Sequence, residues 1–441
     1  MTLERVLGRR EAAWIVAGNM IGAGIFLFPG PVAGRLPGLA WPLVAWALGG
    51  ALALCGAAVY GELGSRLPRA GGDYQYLAAA FGPLWGFLHG WAAILLTFSA
   101  AAAVMAVVAV RHVWAALAPA GDPGHPAVRL VPPLVVLLLT WANTAGVRAG
   151  ERATVWLTAL PLAGLFVLFG AGVVLGRADL ALPQAAPLGR PWPLALGSAM
   201  VFVFFTYSGW NAAAYLAGEI RDPGRNLAGG LLWGTALVTA IYLAFNLVVL
   251  LAVPPSELAG TMTAGAQAAD NLLGPGGARA LGLIIALSVL GSANVTLMAG
   301  ARVYYAMARD GLAPAPFARL NAAGAPAVAL WVAGAWTALL AVLGFVEALV
   351  TWATLAILLL SALATTALFV LRRRDGPCAG FRCPGYPWTP LAYAVASLGV
   401  AAASAAYAPR QALQGLALVA AGLPLYGLLR WRRAGPGVPG T

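Results

Sequence analysis

The chain has 441 residues, of which 61% are hydrophobic and only 9% are charged, and its formal net charge is +12. A soluble globular domain is about one quarter charged, so this composition excludes that class. Runs of roughly twenty apolar residues are typical of transmembrane helices. The sequence therefore predicts an all-α polytopic membrane protein.

Twelve apolar segments are candidate membrane spans. In chain order they are 12–35, 39–66, 80–110, 128–147, 153–176, 191–218, 228–253, 278–308, 327–346, 348–371, 389–408 and 411–430. All 26 basic residues are arginine. If the chain crosses the membrane twelve times, nineteen of them lie on one side of the membrane and seven on the other. Because basic residues collect in short cytoplasmic loops, we expect both termini in the cytoplasm. We also expect no cleavable signal peptide.

The arginine asymmetry also accounts for the positive net charge. Arginines that flank spans on one membrane face need no nucleic-acid partner, and we expect none. Attraction to anionic membrane lipid is the expected consequence.

Glycines interrupt the first span. The stretch "VAGNMIGAGIFLFPG" (16–30) carries glycine at 18, 22, 24 and 30, although glycine is among the poorest helix formers. In the sixth span, Ser208 and Gly209 fall mid-span, between aromatic residues and Asn211. Paired interrupted segments at corresponding places in two halves indicate the binding site of a transporter.

The two interrupted spans lie five helices apart, which predicts two five-helix repeats of opposite orientation. The repeats would cover about 12–176 and 191–371, within a ten-helix core of residues 1–371. Residues 372–388, rich in Arg, Pro and Gly, would form a cytoplasmic linker. Residues 389–441 would supply two C-terminal helices and a cytoplasmic tail.

Unwinding a helix at membrane depth frees N–H and C=O groups, and each costs several kcal/mol if it stays unpaired. A half-helix N-terminus suits a carboxylate, whereas carbonyls at a helix C-terminus suit an ammonium group or a cation. Two such breaks therefore favour a zwitterionic α-amino acid as ligand. The alternative is that the glycines, such as Gly18-x-x-x-Gly22, only let helices pack closely.

Four stretches resemble the amino acid–polyamine–organocation superfamily of transporters, and in particular its bacterial permeases related to the L-type exchangers. They are "GNMIGAGIFLFPG" (18–30), "YGELGSRLPRAGGDYQYL" (60–77), "FFTYSGWNAAAYLAGEIRDPGRNL" (204–227) and "AGARVYYAMARDGL" (299–312). A fifth, weaker stretch is "CPGYPWTP" (383–390). The resemblance implies twelve transmembrane helices in the LeuT-like fold, a 5+5 inverted repeat plus two C-terminal helices.

The resemblance also implies roles for the residues at the two breaks. The unwound part of the first span would be Ile21, Gly22, Ala23 and Gly24. The amides expected to bind the substrate carboxylate are those of Ala23, Gly24 and Ile25. The carbonyls expected to bind the ammonium group lie near Met20 and Ile21 and on Phe204, Phe205 and Ser208, with Gly209 in the second break.

Two side chains of the sixth span have alternative interpretations. Phe205 occupies the place of the bulky aromatic that closes over substrate in this family, or it is a ring packed in the bundle. Asn211 contacts the substrate side chain, or it is satisfied by a neighbouring helix.

Charged residues cluster at the cytoplasmic ends of three spans. They are Glu62, Arg66, Arg69 and Asp73; Glu219, Arg221, Asp222 and Arg225; and Arg302, Arg309 and Asp310. Opposite charges there could form an inner gate. The alternative is solvated interface charges, whose exposed pairs contribute about 0–1 kcal/mol.

One departure from the family concerns ion coupling. Many relatives carry a lysine in the fifth span, whereas here Pro161 or a near neighbour stands in its place. Three explanations stay open: exchange without a cation, a proton carried elsewhere, or a Na⁺ site. Hydroxyls of Ser288 and Ser292, beside the carbonyls of Gly18 and Ile21, could bind Na⁺, or they could bond back to their own helix.

No charged residue falls well inside a predicted span, which favours a neutral amino acid. Ser208, where glycine would leave more room, favours a small to medium side chain. The alternative is a polyamine or organic-amine permease of the same fold, and an enzyme is not expected. The animal exchangers pair with a glycoprotein through a cysteine after the third span, but residues 111–127 contain none, so we expect no covalent glycoprotein subunit. Exclusive use of arginine suggests a bacterial inner-membrane protein, and no cofactor is expected beyond Na⁺ or H⁺ coupling.

Overall fold

Apolar runs with almost no charge form helices because only intra-segment hydrogen bonds satisfy a backbone in hydrocarbon. The computed structural model describes residues 3–434 except 23, 37, 119–124, 147–154, 160–161, 165, 167–169, 171–173, 175–190, 254, 260, 262, 275, 344–345 and 408. Over these residues the regular structure is helical, apart from one isolated bridge between Leu7 and Ile220. The all-α class is thus confirmed.

The helices of the first half of the described chain are α1 (Arg9–Met20), α2 (Gly24–Leu27), α3 (Pro29–Ala33), α4 (Ala40–Arg66), α5 (Asp73–Phe81), α6 (Pro83–Ala92), α7 (Ser99–Leu117) and α8 (Pro126–Thr144). A π-helical turn, Ala93–Thr97, joins α6 to α7 without a break in direction.

The helices of the second half are α9 (Trp192–Tyr207), α10 (Ala212–Tyr215), α11 (Pro223–Ala252), α12 (Pro255–Leu258), α13 (Ala264–Leu273), α14 (Gly277–Arg309), α15 (Ala327–Leu343), α16 (Val346–Asp375), α17 (Trp388–Tyr407), α18 (Pro409–Ala420) and α19 (Gly422–Ala434). Short 3₁₀ turns at Ala217–Glu219 and Ala315–Ala318 follow α10 and α14.

Eight helical segments of the described residues are long and apolar enough to cross a membrane. The other expected spans fall on α1–α3, α9 and α15, which are interrupted or short, and on residues 153–176, most of which lie outside the described residues. The multi-pass class is therefore supported, whereas the count of twelve spans stays a prediction.

The first residues of the predicted linker, 372–388, are helical rather than extended chain. Helix α16 continues through the three arginines to Asp375, and α17 begins at Trp388. Arginine is a good helix former, so the charge run extends the helix until Gly376, whose φ of +73° ends it.

The bundle has a buried centre and a lipid-facing rim. In the most apolar window of α14, 78% of the residues are buried, compared with 17% in the segment Pro409–Leu429. Large apolar side chains, including Trp141, Trp233 and Trp388, stay exposed on the rim, as lipid contact requires. Helix α14 is therefore the central element of the fold.

Helix α1 packs between α11 and α14. Its close approach to α11 depends on two glycines of α11: a Cβ on Gly230 would lie 2.4 Å from the Ala12 Cβ, and one on Gly234 would lie 2.7 Å from the Val16 Cβ. Small residues thus bring the backbones of these helices together, as in other membrane bundles.

Candidate functional site

The first interruption lies where the glycine pattern predicts it. Helix α1 ends at Met20, and the Gly22 N–H donates to the Met20 carbonyl at 2.8 Å, which forms a tight turn around Ile21. Gly24 was expected to be unwound, but it is the first residue of α2. The break is therefore shorter than expected, and Ala23 lies outside the described residues.

The second interruption separates α9 from α10. The Ser208 amide and hydroxyl both donate to the Phe205 carbonyl, at 3.1 and 2.7 Å, and end α9 at Tyr207. Gly209 has a φ of +100°, and a Cβ there would lie 2.5 Å from Nδ2 of Asn19. Only glycine fits this position, because the turn needs positive φ and the first break lies against it.

Two polar side chains join the breaks. The Asn19 amide donates to the Gly209 carbonyl at 3.3 Å. The Tyr242 hydroxyl of α11 lies 2.5 Å from the Met20 carbonyl and 3.2 Å from the Thr206 carbonyl, so its one proton is shared between the two helix ends. The interrupted spans therefore form one hydrogen-bonded unit.

The sequence patterns alone predict neither of these residues as part of the site. Asn19 could have been found, because an amide inside an apolar span is costly unless it has a function or a partner. Tyr242 carries no such signal, since a tyrosine in an apolar helix is common and its partners lie 222 and 36 residues away.

Helix α14 supplies three hydroxyls to the first break. Ser288 donates to the Ile21 carbonyl at 2.8 Å, and Ser292 donates to the Asn19 carbonyl at 2.5 Å. Thr296 donates to the Asn19 side-chain oxygen at 2.9 Å. The two serines thus bond across to the break, and the second carbonyl that they reach belongs to Asn19, one residue beyond the expected Gly18.

The carbonyls expected to hold an ammonium group already accept hydrogen bonds within the protein. Met20 accepts from Tyr242, Ile21 from Ser288, and Phe205 from Ser208. Met20 also accepts the Gly22 amide and Phe205 also accepts the Ser208 amide, so with two lone pairs on each oxygen only the Ile21 carbonyl can accept one more donor. The arrangement is an acceptor-rich junction with no formal charge on these residues.

Phe205 contacts an aromatic cluster beside the two breaks. Its ring meets Phe28 edge to face at 5.7 Å, and Phe28 in turn lies 5.1 Å from Phe202. The Arg35 guanidinium lies over the Phe202 ring at 4.5 Å. The Phe205 ring is thus packed against its neighbours and half-buried, between the second break and the outer loops.

Asn211 bonds within its own span. Its amide donates to the Tyr215 hydroxyl at 3.2 Å, and Tyr215 donates to the Asp73 carboxylate at 2.9 Å. The same stretch lines a cavity of about 30 Å³ together with Phe204, Ser361 and Tyr393. That volume holds one water molecule and is smaller than an amino acid.

Several charges at the span ends that the sequence predicts to be cytoplasmic are buried, which contradicts the interpretation that all of them are solvated. Arg302 and Glu219, each 1% exposed, form a bidentate pair at 2.8 and 3.2 Å. Glu62 is fully buried and accepts from Arg66 and Arg372 and from the Cys383 amide. By contrast, the residues at 221, 222, 225, 309 and 310 are exposed, as the solvated interpretation expects.

The N-terminal segment covers this side of the bundle. The amides of Val6 and Leu7 both donate to the Glu219 carbonyl at 2.9 Å, and the Arg221 amide donates to the Leu7 carbonyl at 2.8 Å. These bonds continue the Glu219–Arg302 pair into a contact between the N-terminus, the end of the sixth span and α14.

Known proteins resemble this chain over most of its length. The sequence model of the amino acid permease family matches residues 7–424. The large neutral amino acids transporter small subunit 2 of Rattus norvegicus is 32% identical over 73% of this chain, and the alignment spans 61% of that protein. The Asc-type amino acid transporter 1 of Mus musculus is 30% identical over 85% of this chain and 72% of its own length.

The chain thus spans about three fifths of the length of the first of these relatives. The b(0,+)-type amino acid transporter 1 of Mus musculus is also similar, at 28% identity over 70% of this chain and 64% of that protein. The family match covers both interruptions and the cytoplasmic ion pairs. The chain belongs to the amino acid permease family.

Proposed function

We propose that the protein is a secondary active transporter that moves neutral, small to medium α-amino acids across the membrane by alternating access. The observation that carries the proposal is the pair of interrupted helices, α1/α2 and α9/α10, joined through Asn19 and Tyr242. The names of its relatives, a large neutral amino acids transporter and an Asc-type amino acid transporter, support an amino acid as substrate and, in the first case, a neutral one. The small to medium size rests on Ser208 alone.

The zwitterion would be held by backbone groups. Helix α2 begins at Gly24, so the N–H groups of its first turn have no partner inside the helix and suit the substrate carboxylate. We assign this role to the amides of Ala23, Gly24 and Ile25. The ammonium group would be held by the carbonyls of Met20, Ile21, Phe204, Phe205 and Ser208, with Gly209 giving access and Asn211 facing the substrate side chain.

Alternating access needs a gate on each side of the site. Phe205, on the Phe28–Phe202 cluster, is our candidate for the outer gate. The Glu219–Arg302 pair and the N-terminal segment around Leu7 are our candidates for the inner gate. These two assignments require that Phe205 and the Glu219–Arg302 pair face opposite sides of the membrane.

The architecture that goes with this function is the LeuT-like fold in twelve spans with both termini in the cytoplasm. The repeats would be 12–176 and 191–371, followed by the linker from 376 and the two C-terminal helices. Arginine as the sole basic residue supports a bacterial inner membrane. The protein would be surrounded by membrane lipid, and its activity would be transport rather than catalysis.

A candidate site for a coupling ion lies beside the first break. Ser288 and Ser292, with the carbonyls of Ile21 and Asn19, supply four neutral oxygens, a set suited to Na⁺. Exchange without a cation and proton coupling are the other two modes. Pro161, in the place of the family lysine, supports a mode that needs no cation at that position.

A second subunit is implied by the printed name of one relative, which is called a small subunit. For this chain we propose no covalent partner, because residues 111–127 contain no cysteine. Cys55 is half-buried and Cys378 and Cys383 are buried, so none of the three cysteines is well placed for a disulfide to another chain.

Uptake into proteoliposomes tests the function. Purified protein is given a panel of labelled amino acids together with putrescine, with and without Na⁺, a pH gradient and internal amino acid. We expect uptake of neutral amino acids, and the driving condition identifies the coupling mode. Uptake of putrescine with no uptake of any amino acid would instead support the polyamine alternative.

A further inference from the structure

A buried carboxyl group lies just below the second helix break, towards the predicted cytoplasmic side. Asp73 is the first residue of α5 and is 3% exposed. Its Oδ2 accepts the Tyr215 hydroxyl at 2.9 Å, and Tyr215 in turn accepts the Asn211 amide at 3.2 Å. A hydrogen-bonded chain thus connects the candidate substrate residue Asn211 to a buried acid.

The loop before α5 is built to hold this carboxyl against Tyr215. The Gly71 amide, at φ of +119°, donates to the Tyr215 carbonyl at 3.0 Å. A Cβ on Gly72, at φ of +51°, would lie 2.6 Å from the Tyr215 ring. Glycine is therefore needed at both positions for the loop to bring Asp73 against Tyr215. The backbone of this loop is specifically shaped for the contact.

Among the described residues, Asp73 forms no ion pair. Its second oxygen, Oδ1, and the Tyr60 hydroxyl nearby form no hydrogen bond of ordinary geometry within the described part of the chain. The buried Arg302 pairs with Glu219, and the half-buried Arg372 pairs with Glu62. Burial raises the pKa of the Asp73 carboxyl to about 6, although the Tyr60 and Tyr215 phenols partly oppose the rise.

Other titratable groups face Asp73 from the surrounding elements. These are Tyr60 of α4, Tyr76 of α5 itself, His89 of α6, Tyr215 of the sixth span and Tyr393 of α17. Helices α14 and α16 also contact α5, and their charged residues are Arg279, Arg302 and Arg309 on α14 and Glu347, Arg372, Arg373, Arg374 and Asp375 on α16. Of these, Arg374 is held by Asp375 and by the Ala79 carbonyl at the far end of α5.

His89 is the other side chain near Tyr215 whose type ordinarily titrates near neutral pH. Its ring stacks on Tyr215, with centroids 6.4 Å apart, and forms no hydrogen bond to Asp73. Protonation of Asp73 suits this buried site better than protonation of His89. A neutral carboxylic acid can donate a hydrogen bond from the oxygen that has no partner, and it avoids the free-energy cost of a buried charge.

We propose that Asp73 is the proton-binding group of this transporter, protonated while the cytoplasmic side is closed and ionised when that side opens to water. The inference rests on the proposed function, because it assigns the coupling ion to the amino acid transport cycle. One proton binds to a carboxylate oxygen and leaves from it, so no other reactant is needed. Tyr215 and Asn211 connect this event to the substrate site.

The test uses the full-length protein in proteoliposomes and a labelled mixture of the neutral L-amino acids. First, counterflow is measured at equal pH on both sides, from acidic to alkaline pH. We expect the wild-type rate to change with a midpoint near pH 6, the pKa of Asp73. Second, a gradient of two pH units should drive accumulation towards a limit of about 100-fold, because one proton per substrate is worth about tenfold per pH unit.

Asp73→Asn removes the titration and keeps a similar shape. We expect its counterflow to stay measurable but to lose its dependence on pH, and its accumulation to fall to about 1-fold, since a pH gradient then does no work. Tyr215→Phe removes a hydrogen bond that stabilises the ionised carboxylate. It should move the pH midpoint upwards by about 1 unit, a shift that a purely structural role would not produce.

Two control variants complete the test. Asp310 is an exposed carboxylate on the same membrane side that also accepts a tyrosine hydroxyl, from Tyr74 at 2.7 Å. Asp310→Asn should leave the midpoint and the accumulation as in the wild type. His89→Gln should do the same if Asp73 carries the proton.

The outcomes separate the two proposals. If the wild type shows no counterflow of any neutral amino acid, the proposed function is wrong. If it shows counterflow that neither depends on pH nor responds to a pH gradient, only the role of Asp73 is wrong. The role is also wrong if Asp73→Asn keeps proton-driven accumulation, if His89→Gln abolishes it, or if Na⁺ alone drives uptake. Should Asp73→Asn fail to fold, the midpoint of Tyr215→Phe decides.

Discussion

Gly24 shows how a single residue sets the geometry of the candidate site. It begins α2, and its Cα faces Thr206 of α9 so closely that an added Cβ would lie 2.8 Å from the hydroxyl and 3.1 Å from the Thr206 Cα. The backbone of one interrupted helix thus rests directly on the other. A larger residue must push the two helices apart at the point where the substrate carboxylate is expected to bind.

Replacing Gly24 by valine therefore predicts a loss of transport. Overpacking costs about 1–3 kcal/mol, which corresponds to roughly 5–150-fold in binding. Gly22→Ala is the matched control, because its new Cβ would lie 3.5 Å from the Ser292 hydroxyl, an ordinary contact. Uptake by both variants in proteoliposomes, with membrane insertion checked by size-exclusion chromatography, measures the difference. Full activity of Gly24→Val would count against this site.

Tyr242 offers a second prediction, since it bonds the ends of both interrupted helices. Tyr242→Phe removes a fully buried hydroxyl and leaves the Met20 and Thr206 carbonyls without that donor, at a cost of about 1–3 kcal/mol. We expect a lower unfolding temperature and weaker substrate binding. Tyr304→Phe is the control: its hydroxyl is also buried, but it bonds the Ala93 carbonyl, away from the breaks. An equal loss of binding in both variants would contradict a specific role for Tyr242.

At the scale of helices, a buried ion pair joins the end of the sixth span to α14. Arg302 donates to both oxygens of Glu219, and neither side chain has water access to compensate for a lost partner. A buried charge left without its partner typically costs about 3–5 kcal/mol. This pair, together with the N-terminal segment on Glu219, joins the end of the sixth span to α14.

Arg302→Met should therefore destabilise the protein strongly and loosen the cytoplasmic side. The double variant Arg302→Met/Glu219→Gln should recover part of the loss, because no unpaired charge remains. Arg309→Met, seven residues later on the same helix and exposed, should change stability by about 0.5 kcal/mol or less. Thermal unfolding in detergent compares the three. If Arg302→Met and Arg309→Met unfold at the same temperature, the pair does not stabilise this contact.

Over the whole molecule, the features that the sequence predicts well are those with a local cause. Apolar runs predict the helices, and glycines at 22 and 209 predict where two of them stop, because a break needs residues that tolerate unusual backbone angles. Features set by distant contacts were missed or misplaced. Tyr242 and Asn19 became site residues only because three helices meet around them.

The buried charges illustrate the same limit. Glu62, Asp73 and Arg302 lie at the ends of spans, where charge is usually solvated, so the sequence left open whether they pair. Burial of Glu62 depends on the linker at Cys383, which lies 321 residues away. The late end of α16 at Asp375 follows from the same docking, because Arg66 donates to the Gly376 carbonyl at 2.7 Å.

The number of spans is the remaining global prediction, and one pair of loops tests it. Five predicted spans separate His125 from Ala322, so the two exposed residues should lie on opposite sides of the membrane. We expect His125→Cys, in a variant without its native cysteines, to react with a membrane-impermeant maleimide in intact cells. Ala322→Cys should react only after the membrane is opened. Labelling of both from the outside would mean an even number of crossings between them. That result would contradict one of the five predicted spans between them and, with it, the predicted inverted relation of the two halves.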